Sequence, residues 1–233
     1  MAKTVVTTRV FKGSGYIFVR KHSDKKTYPP VADMDNMTKE EAEAIDAFIR
    51  ELAVAENELG LLKNGINFVE EITALEDQDD MGRQKISDIQ SEKANSSFAL
   101  FGANVKTIEK MHPLAKAAVN EETGMRLLNL GGIPNKDDSS YDILFVHPDT
   151  DEGDISFYQV GKNITGLNIN VLPSQVSPLN CNYAAEPIDD TGVLYKIFEH
   201  MKGKPVYEPG KGTQSQTQAA AQAASAGTES AGT

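Results

Sequence analysis

The segment from Tyr141 to Phe198 does most to constrain what this chain can fold into. It holds a short apolar run, Tyr141 to His147, then an acidic turn, then a second run from Asp154 to Val160. Two strictly alternating stretches follow. Leu167, Ile169 and Val171 fall on one side, with Gly166, Asn168 and Asn170 on the other. Leu179, Cys181, Tyr183 and Ala185 repeat the pattern opposite Asn180 and Asn182, and a short apolar run closes the series. Successive side chains of a strand point to opposite faces, so this alternation predicts strands with one buried and one polar face. The polar face is rich in amides rather than in Lys and Glu, and no catalytic set lies along it. Such a sheet reads as made for assembly or for lining a surface, not for chemistry.

Upstream, Val5 to Phe11 and Tyr16 to Arg20 read as strands turning at Lys12-Gly13-Ser14-Gly15, where two glycines permit a tight hairpin. A phosphate loop is the sharper reading of those glycines, but no Gly-Lys-Ser/Thr follows and no helix opens there. His22 to Asn36 is polar and carries Pro29-Pro30, so it reads as a long loop, a length usually reserved for functional or disordered segments. A helix follows. Thr38 is placed as its N-cap and Glu41, three residues on, completes a capping box. Ala42, Ile45, Phe48, Ile49 and Leu52 form one apolar stripe at helical spacing, while Glu40, Glu43, Asp46, Arg50 and Glu51 face outward. The stripe predicts packing on the sheet; a partner-binding helix is the alternative.

Asn64-Gly65 is a turn signal between apolar segments, and Ile66 to Leu75 then reads as a strand. Glu76 to Asp80 is expected to be a loop tip, and Gln84 to Phe101 one long strand or two short ones. Val105, Ile108 and Met111 fit a short helix that begins near Asn104 and stops before Pro113. Leu114 to Asn129 admits either helix or irregular structure, and Gly131-Gly132-Ile133-Pro134 punctuates the chain before the final strands. From Glu208 onward the composition turns to Pro, Gly, Gln, Thr, Ser and Ala, the signature of a flexible appendage. The expected organisation is a mainly β (α+β) domain over 1–207, with an inserted loop and helix at 21–57, and a flexible Gln/Ala/Ser-rich tail at 208–233.

Composition narrows the function. The net charge of -11 makes the chain a poor phosphate binder, because affinity for nucleic acid comes mainly from Lys and Arg displacing counterions. It argues equally against an anionic membrane surface. The opening Met-Ala-Lys-Thr-Val lacks the apolar stretch of a signal peptide, and no window approaches the ~20 apolar residues of a spanning helix. The expectation is a protein made and kept in a cytosol, or packaged from one. The single cysteine, Cys181, cannot form a disulfide within the chain, and its place on the apolar phase of a strand predicts a buried thiol.

The 4 histidines, His22, His112, His147 and His200, are scattered, and no pair has metal-ligand spacing. His112 and His200 are expected at the surface; His147, at a strand end before an acidic turn, is the one placed for a shifted pKa. The acidic clusters Glu76 to Asp80 and Asp149 to Asp154 offer carboxylates to a hard cation, yet adjacent acids on a turn are more often simply solvated. The second superficially resembles a calcium loop, but Gly153 holds its fifth position and no Glu closes it. Neither a nucleophile elbow nor a Cys/His pairing is present. No catalytic residue, metal or cofactor is expected, and the chain reads as a non-enzyme.

The order and wording of several segments resemble the major tail (tail tube) proteins of long-tailed bacteriophages. The matching pieces are Phe11-Lys12-Gly13-Ser14-Gly15-Tyr16-Ile17-Phe18-Val19, then Gly60-Leu61-Leu62-Lys63-Asn64-Gly65-Ile66-Asn67-Phe68, and the acidic turn at Glu76 to Asp80. Phe98-Ala99-Leu100-Phe101-Gly102 and the helix at Asn104 to Met111 follow. The last is Tyr141 to Ile197, with Ala184-Ala185-Glu186-Pro187 and Asp189-Asp190-Thr191-Gly192-Val193-Leu194-Tyr195. The likeness spans most of 1–200, and its order persuades more than any one piece. The helix inserted at Thr38 to Asn57 and the Gln/Ala/Ser tail depart from it.

The resemblance implies an antiparallel β-sandwich or barrel with one or two flanking helices. It implies a virion structural protein, assembled in the host cytoplasm, whose hexameric rings stack into the hollow tail tube for genome delivery. Its partners would be copies of itself and other tail proteins (tape measure, terminator and distal tail proteins), with DNA passing through without specific binding. Open sheet edges are an aggregation hazard unless used, and ring closure is expected to use them. The loop at His22, Lys25, Lys26, Tyr28, Pro29 and Pro30 is the candidate ring-stacking arm. Asn168, Asn170, Asn180 and Asn182 are candidates for lining the bore, with an ordinary outer sheet face as the alternative. A tail terminator, a head-surface structural protein, or a monomeric β-rich binding module remain the competing readings.

Overall fold

A computed structural model describes residues 15–23, 27–78, 85–101, 104–133, 136–167, 178–200 and 202–209. The strand expected at Val5 to Phe11, the alternating stretch at Asn168 to Val171 and nearly all of the C-terminal tail lie outside the described residues. Within them the chain is mainly β, with two helices, an antiparallel sheet nearly closed into a barrel, and a small second sheet.

The strands are β1 (Tyr16–Lys21), β2 (Glu58–Gln78), β3 (Lys85–Leu100), β4 (Ala115–Asn120), β5 (Met125–Leu130), β6 (Tyr141–His147), β7 (Ile155–Asn163), β8 (Leu179–Glu186) and β9 (Lys196–Glu199). Helix α1 (Lys39–Leu52) lies between β1 and β2, and α2 (Val105–Met111) between β3 and β4. The main sheet runs β6-β1-β2-β3-β8-β7-β9, and β7 also pairs back to β6. β7 can serve so many neighbours because its free side is divided: Ile155 to Tyr158 meet β9, and Val160 to Asn163 meet β8. At the handover stands Gly161, where a Cβ would sit 2.4 Å from the Ala184 carbonyl oxygen.

Near-closure gives the sheet an inside and an outside. Ile17 and Val19 of β1, Ile143 of β6, Phe98 and Leu100 of β3, and Leu179, Cys181 and Tyr183 of β8 fill the interior, with Met111 of α2 among them. Phe18, Leu144, Val146, Tyr158 and Val160 point outward from β1, β6 and β7, and α1 covers them with Ile45, Phe48, Ile49 and Leu52. Both faces of β6 are therefore buried, which explains why Tyr141 to His147 reads as a continuous apolar run rather than an alternating one.

The capping box at Thr38 and Glu41 is present, and the helical stripe is buried from Ile45 to Leu52. Asn104 caps α2, its side chain accepting from the Thr107 amide.

Three local readings are corrected. Asn64-Gly65 makes no turn: β2 runs through it, with a register shift between Lys63 and Ile66 and Gly65 at φ 74°. The positive φ that an Asn-Gly pair supplies to a hairpin here supplies a β-bulge instead. β2 likewise continues to Gln78, into the stretch expected as a loop tip. Leu114 to Asn129 is neither helical nor irregular; it holds the β4–β5 hairpin, turned by Gly124 at φ 67° and by an Asn120 side chain accepting from the Thr123 amide.

Candidate functional site

The expected open sheet edges are not a feature of the barrel body, whose strands pair with one another nearly all the way round. Among the described residues, the long unpaired edge is on the β2–β3 hairpin. β1 pairs with β2 only at Glu58, Gly60 and Leu61, and β8 pairs with β3 only from Asn95 to Leu100. Beyond those points β2 and β3 continue as a two-stranded arm, paired to each other out to Gln78 and Lys85. Every described side chain from Val69 to Leu75 and from Asp88 to Lys93 is exposed. Four of these are large and apolar: Val69, Ile72, Leu75 and Ile89, the last 64% exposed. An isolated two-stranded ribbon is marginally stable in water, and the root of this one is fastened by aromatics. Phe68 stacks on Phe157 at 4.9 Å between ring centres and meets Tyr195 edge-on, while the Tyr195 hydroxyl donates to the Val69 carbonyl.

The loop candidates fall in different places. Tyr28 is buried: its ring stacks with Tyr158 and Phe198, meets Phe48 edge-on, and carries the Lys196 ammonium 4.4 Å from its centre. Burial pushes its hydroxyl pKa up to about 12. Pro29 is half-buried, and Pro30 is exposed at the start of a stretch that stays largely exposed to Met37. The Ala32 amide donates to Glu41, so this stretch is tied to the start of α1. Lys25 and Lys26 lie outside the described residues.

The start of the loop rests on a charge cluster that sequence reading missed. Asp142, buried near the start of β6, accepts from Arg20 Nε and Nη2 through one carboxylate oxygen. Its other oxygen accepts from the Tyr158 hydroxyl and contacts His22 Nδ1 at 2.7 Å. Burial, then the adjacent carboxylate, raises the Tyr158 pKa. The signal available in the sequence was an Asp inside an otherwise apolar strand, which requires partners when buried. With its oxygens shared among three side chains, this carboxylate fixes where the loop leaves β1.

Asn180 and Asn182 lie on the face of β8 opposite Leu179, Cys181 and Tyr183, hence on the outside of the barrel. Asn180 is exposed; Asn182 is half-buried. Their strand partners on β3 are Ala99 and Ser97, followed by Asn95 opposite Ala184. The outer wall formed by β3 and β8 is thus small, polar and uncharged across those pairs. In the strand order it adjoins β7 and lies across the barrel from β1 and β6, which together with β7 carry α1. Asn168 and Asn170 lie outside the described residues.

Asp149, Asp154, Cys181 and His200 sit in structural settings. In the acidic turn, Asp149 accepts from the amides of Asp151 and Glu152, and Asp154 accepts from the amides of Asp149 and Val206. Among the described residues no three metal-binding side chains converge. Cys181 is buried, and burial raises its thiol to about 12. His147 is buried at the end of β6. His200, expected at the surface, is largely enclosed between β7 and α1, with Ser156 at hydrogen-bond distance and Asp46 3.6 Å away. Burial lowers its pKa. Comparison with protein-family models, and with curated proteins, yields no match for this chain.

Proposed function

We propose that this protein is a virion structural subunit that assembles into stacked rings forming the hollow tail tube of a long-tailed bacteriophage. The observation that carries the reading is the β2–β3 arm, which extends past the barrel with strand edges that no described residue pairs and with exposed apolar side chains. A long edge of this kind invites pairing with another chain, and proteins that stay monomeric blunt or cover it. In this reading the arm, together with the exposed stretch from Pro30 to Met37, reaches neighbouring subunits. Tyr28 and the Asp142 cluster hold the base of that stretch.

The amide wall of β3 and β8 supports a role facing the bore. Uncharged amides hydrate a DNA path without gripping phosphate, and a net charge of -11 disfavours adhesion. The helix-bearing wall across the barrel then faces outward. Ring stacking is a head-to-tail contact that does not close on itself, and such contacts build filaments.

Near-closure of the body favours a second reading, a monomeric β-rich binding module, because the barrel does not depend on a neighbour for its edges. Sedimentation velocity of the full chain over a wide concentration range separates the two. The tube reading expects fast-sedimenting species that appear above a threshold concentration. A single monomer boundary at every concentration overturns it.

A further inference from the structure

We infer that the carboxylate-flanked apolar face of the β2–β3 arm docks on the exposed face of the β4–β5 hairpin of a second copy of this chain. The inference rests on the tube reading and names the partner surface for its arm.

The strand register decides which side chains share a face. On the arm, Ile72 is opposite Glu92, Ala74 is opposite Ile89, and Glu70 is opposite Ala94. Directly paired residues point the same way, and residues two apart on a strand do too. Ile72, Ala74 and Ile89 therefore form one apolar patch flanked by Glu70 and Glu92. The cation Lys93 is paired with Glu71 on the reverse face.

The β4–β5 hairpin stands apart from the barrel as a separate two-stranded sheet beside α2. One of its faces carries Ala115, Ala117 and Leu128, the residues with least exposure. The other pairs Lys116 with Asn129, Ala118 with Leu127 and Asn120 with Met125, all exposed. Met125 is 65% exposed and Leu127 48%. This face sets Ala118, Leu127 and Met125 among Asn120, Asn129 and Lys116; Lys116 is the one charge that the two strands place on it, at the end away from the turn that carries Glu121 and Glu122.

Charge selects the pairing. Two arms meeting through the same patch would oppose carboxylate to carboxylate, and two β4–β5 faces would oppose lysine to lysine. Arm against β4–β5 hairpin brings Glu70 and Glu92 toward Lys116 and covers both apolar patches. The surfaces differ, so the contact is head-to-tail and propagates from copy to copy. Each patch spans only a few side chains, so one contact is weak and the assembly relies on many made together.

The test uses two full-length single variants, Ile89→Cys and Leu127→Cys; the native Cys181 is buried and stays silent. Each is brought above its assembly threshold alone or in a mixture, oxidised mildly, and run on a non-reducing gel. The expected result is a cross-linked dimer containing one chain of each kind, abundant only in the mixture. Fast-sedimenting assemblies without that dimer overturn the inference while leaving the tube reading intact. Monomers throughout, with the unmodified chain also monomeric, overturn both. A charge exchange gives an independent reading. Lys116→Glu is expected to raise the threshold at least tenfold, and adding Glu92→Lys in the same chain to restore it; no restoration overturns the pairing.

Discussion

If the proposed tube forms, replacing the apolar arm side chains with carboxylates, Ile72→Asp with Ile89→Asp, is expected to block its assembly without unfolding the chain. Ile72 is 55% exposed and Ile89 64%, so together they hold in reserve a little more apolar surface than one whole isoleucine. Burying one isoleucine side chain contributes about 1.5–3 kcal/mol. Since ~1.4 kcal/mol is tenfold in an equilibrium constant, forgoing that burial raises the threshold concentration roughly 10- to 100-fold for every arm that no longer docks. The new carboxylates join Glu70 and Glu92 and add to the effect. The barrel itself is little affected, because the arm extends beyond it and opens locally rather than with the core. The assay is a pelleting curve against total protein, beside thermal unfolding followed by circular dichroism. Ile72→Thr with Ile89→Thr keeps strand preference while trimming apolar area, and is expected to fall between wild type and the Asp pair. An unchanged threshold in the Asp pair would refute the reasoning. So would a fall in the barrel's melting temperature as large as that of a core substitution.

Other consequences concern the barrel itself. Gly161→Ala forces a Cβ to within 2.4 Å of the Ala184 carbonyl oxygen, where β7 passes from β9 to β8. A loss of about 1–3 kcal/mol in urea unfolding is expected, whereas Gly166→Ala, with open space around it, is expected to change little. His200 has its pKa lowered by burial, so the unfolded chain takes up its proton first as the pH falls. Its contribution makes the fold less stable as pH drops below about 6.5, and His200→Gln is expected to flatten the stability profile between pH 7 and 5. Cys181, held near 12 by burial, is expected to react with a thiol reagent at pH 8 only at the rate of unfolding. Rapid labelling of the native protein would contradict its placement.

The features that could be read from the sequence were those written in local chemistry. Thr38 and Glu41 announce the start of α1 through side chains three residues apart, and the run from Leu179 to Tyr183 shows its buried face by alternation. What was not readable depended on distant neighbours. Asn64-Gly65 has the same letters whether Gly65 turns a hairpin or kinks a strand; here the long pairing with β3 decides for the strand. The β4–β5 hairpin escaped notice because its sheet buries little on either face, so its residues carry no period-two contrast. Near-closure of the barrel rests on β1 lying between β2 and β6, which are far apart in sequence. That closure moved the unused strand edge from the alternating segments to the arm. His200 looked like a surface residue near the end of the domain until α1, an insertion, covered it.

Electron micrographs of the purified full-length chain above its threshold concentration probe the tube proposal most directly. Hollow filaments of constant width with a regular axial repeat, their inner wall formed by the strands bearing Asn180 and Asn182, are the expected result. Single compact particles at every concentration, or filaments with that wall turned outward and a bore lined by lysine and arginine, would contradict it.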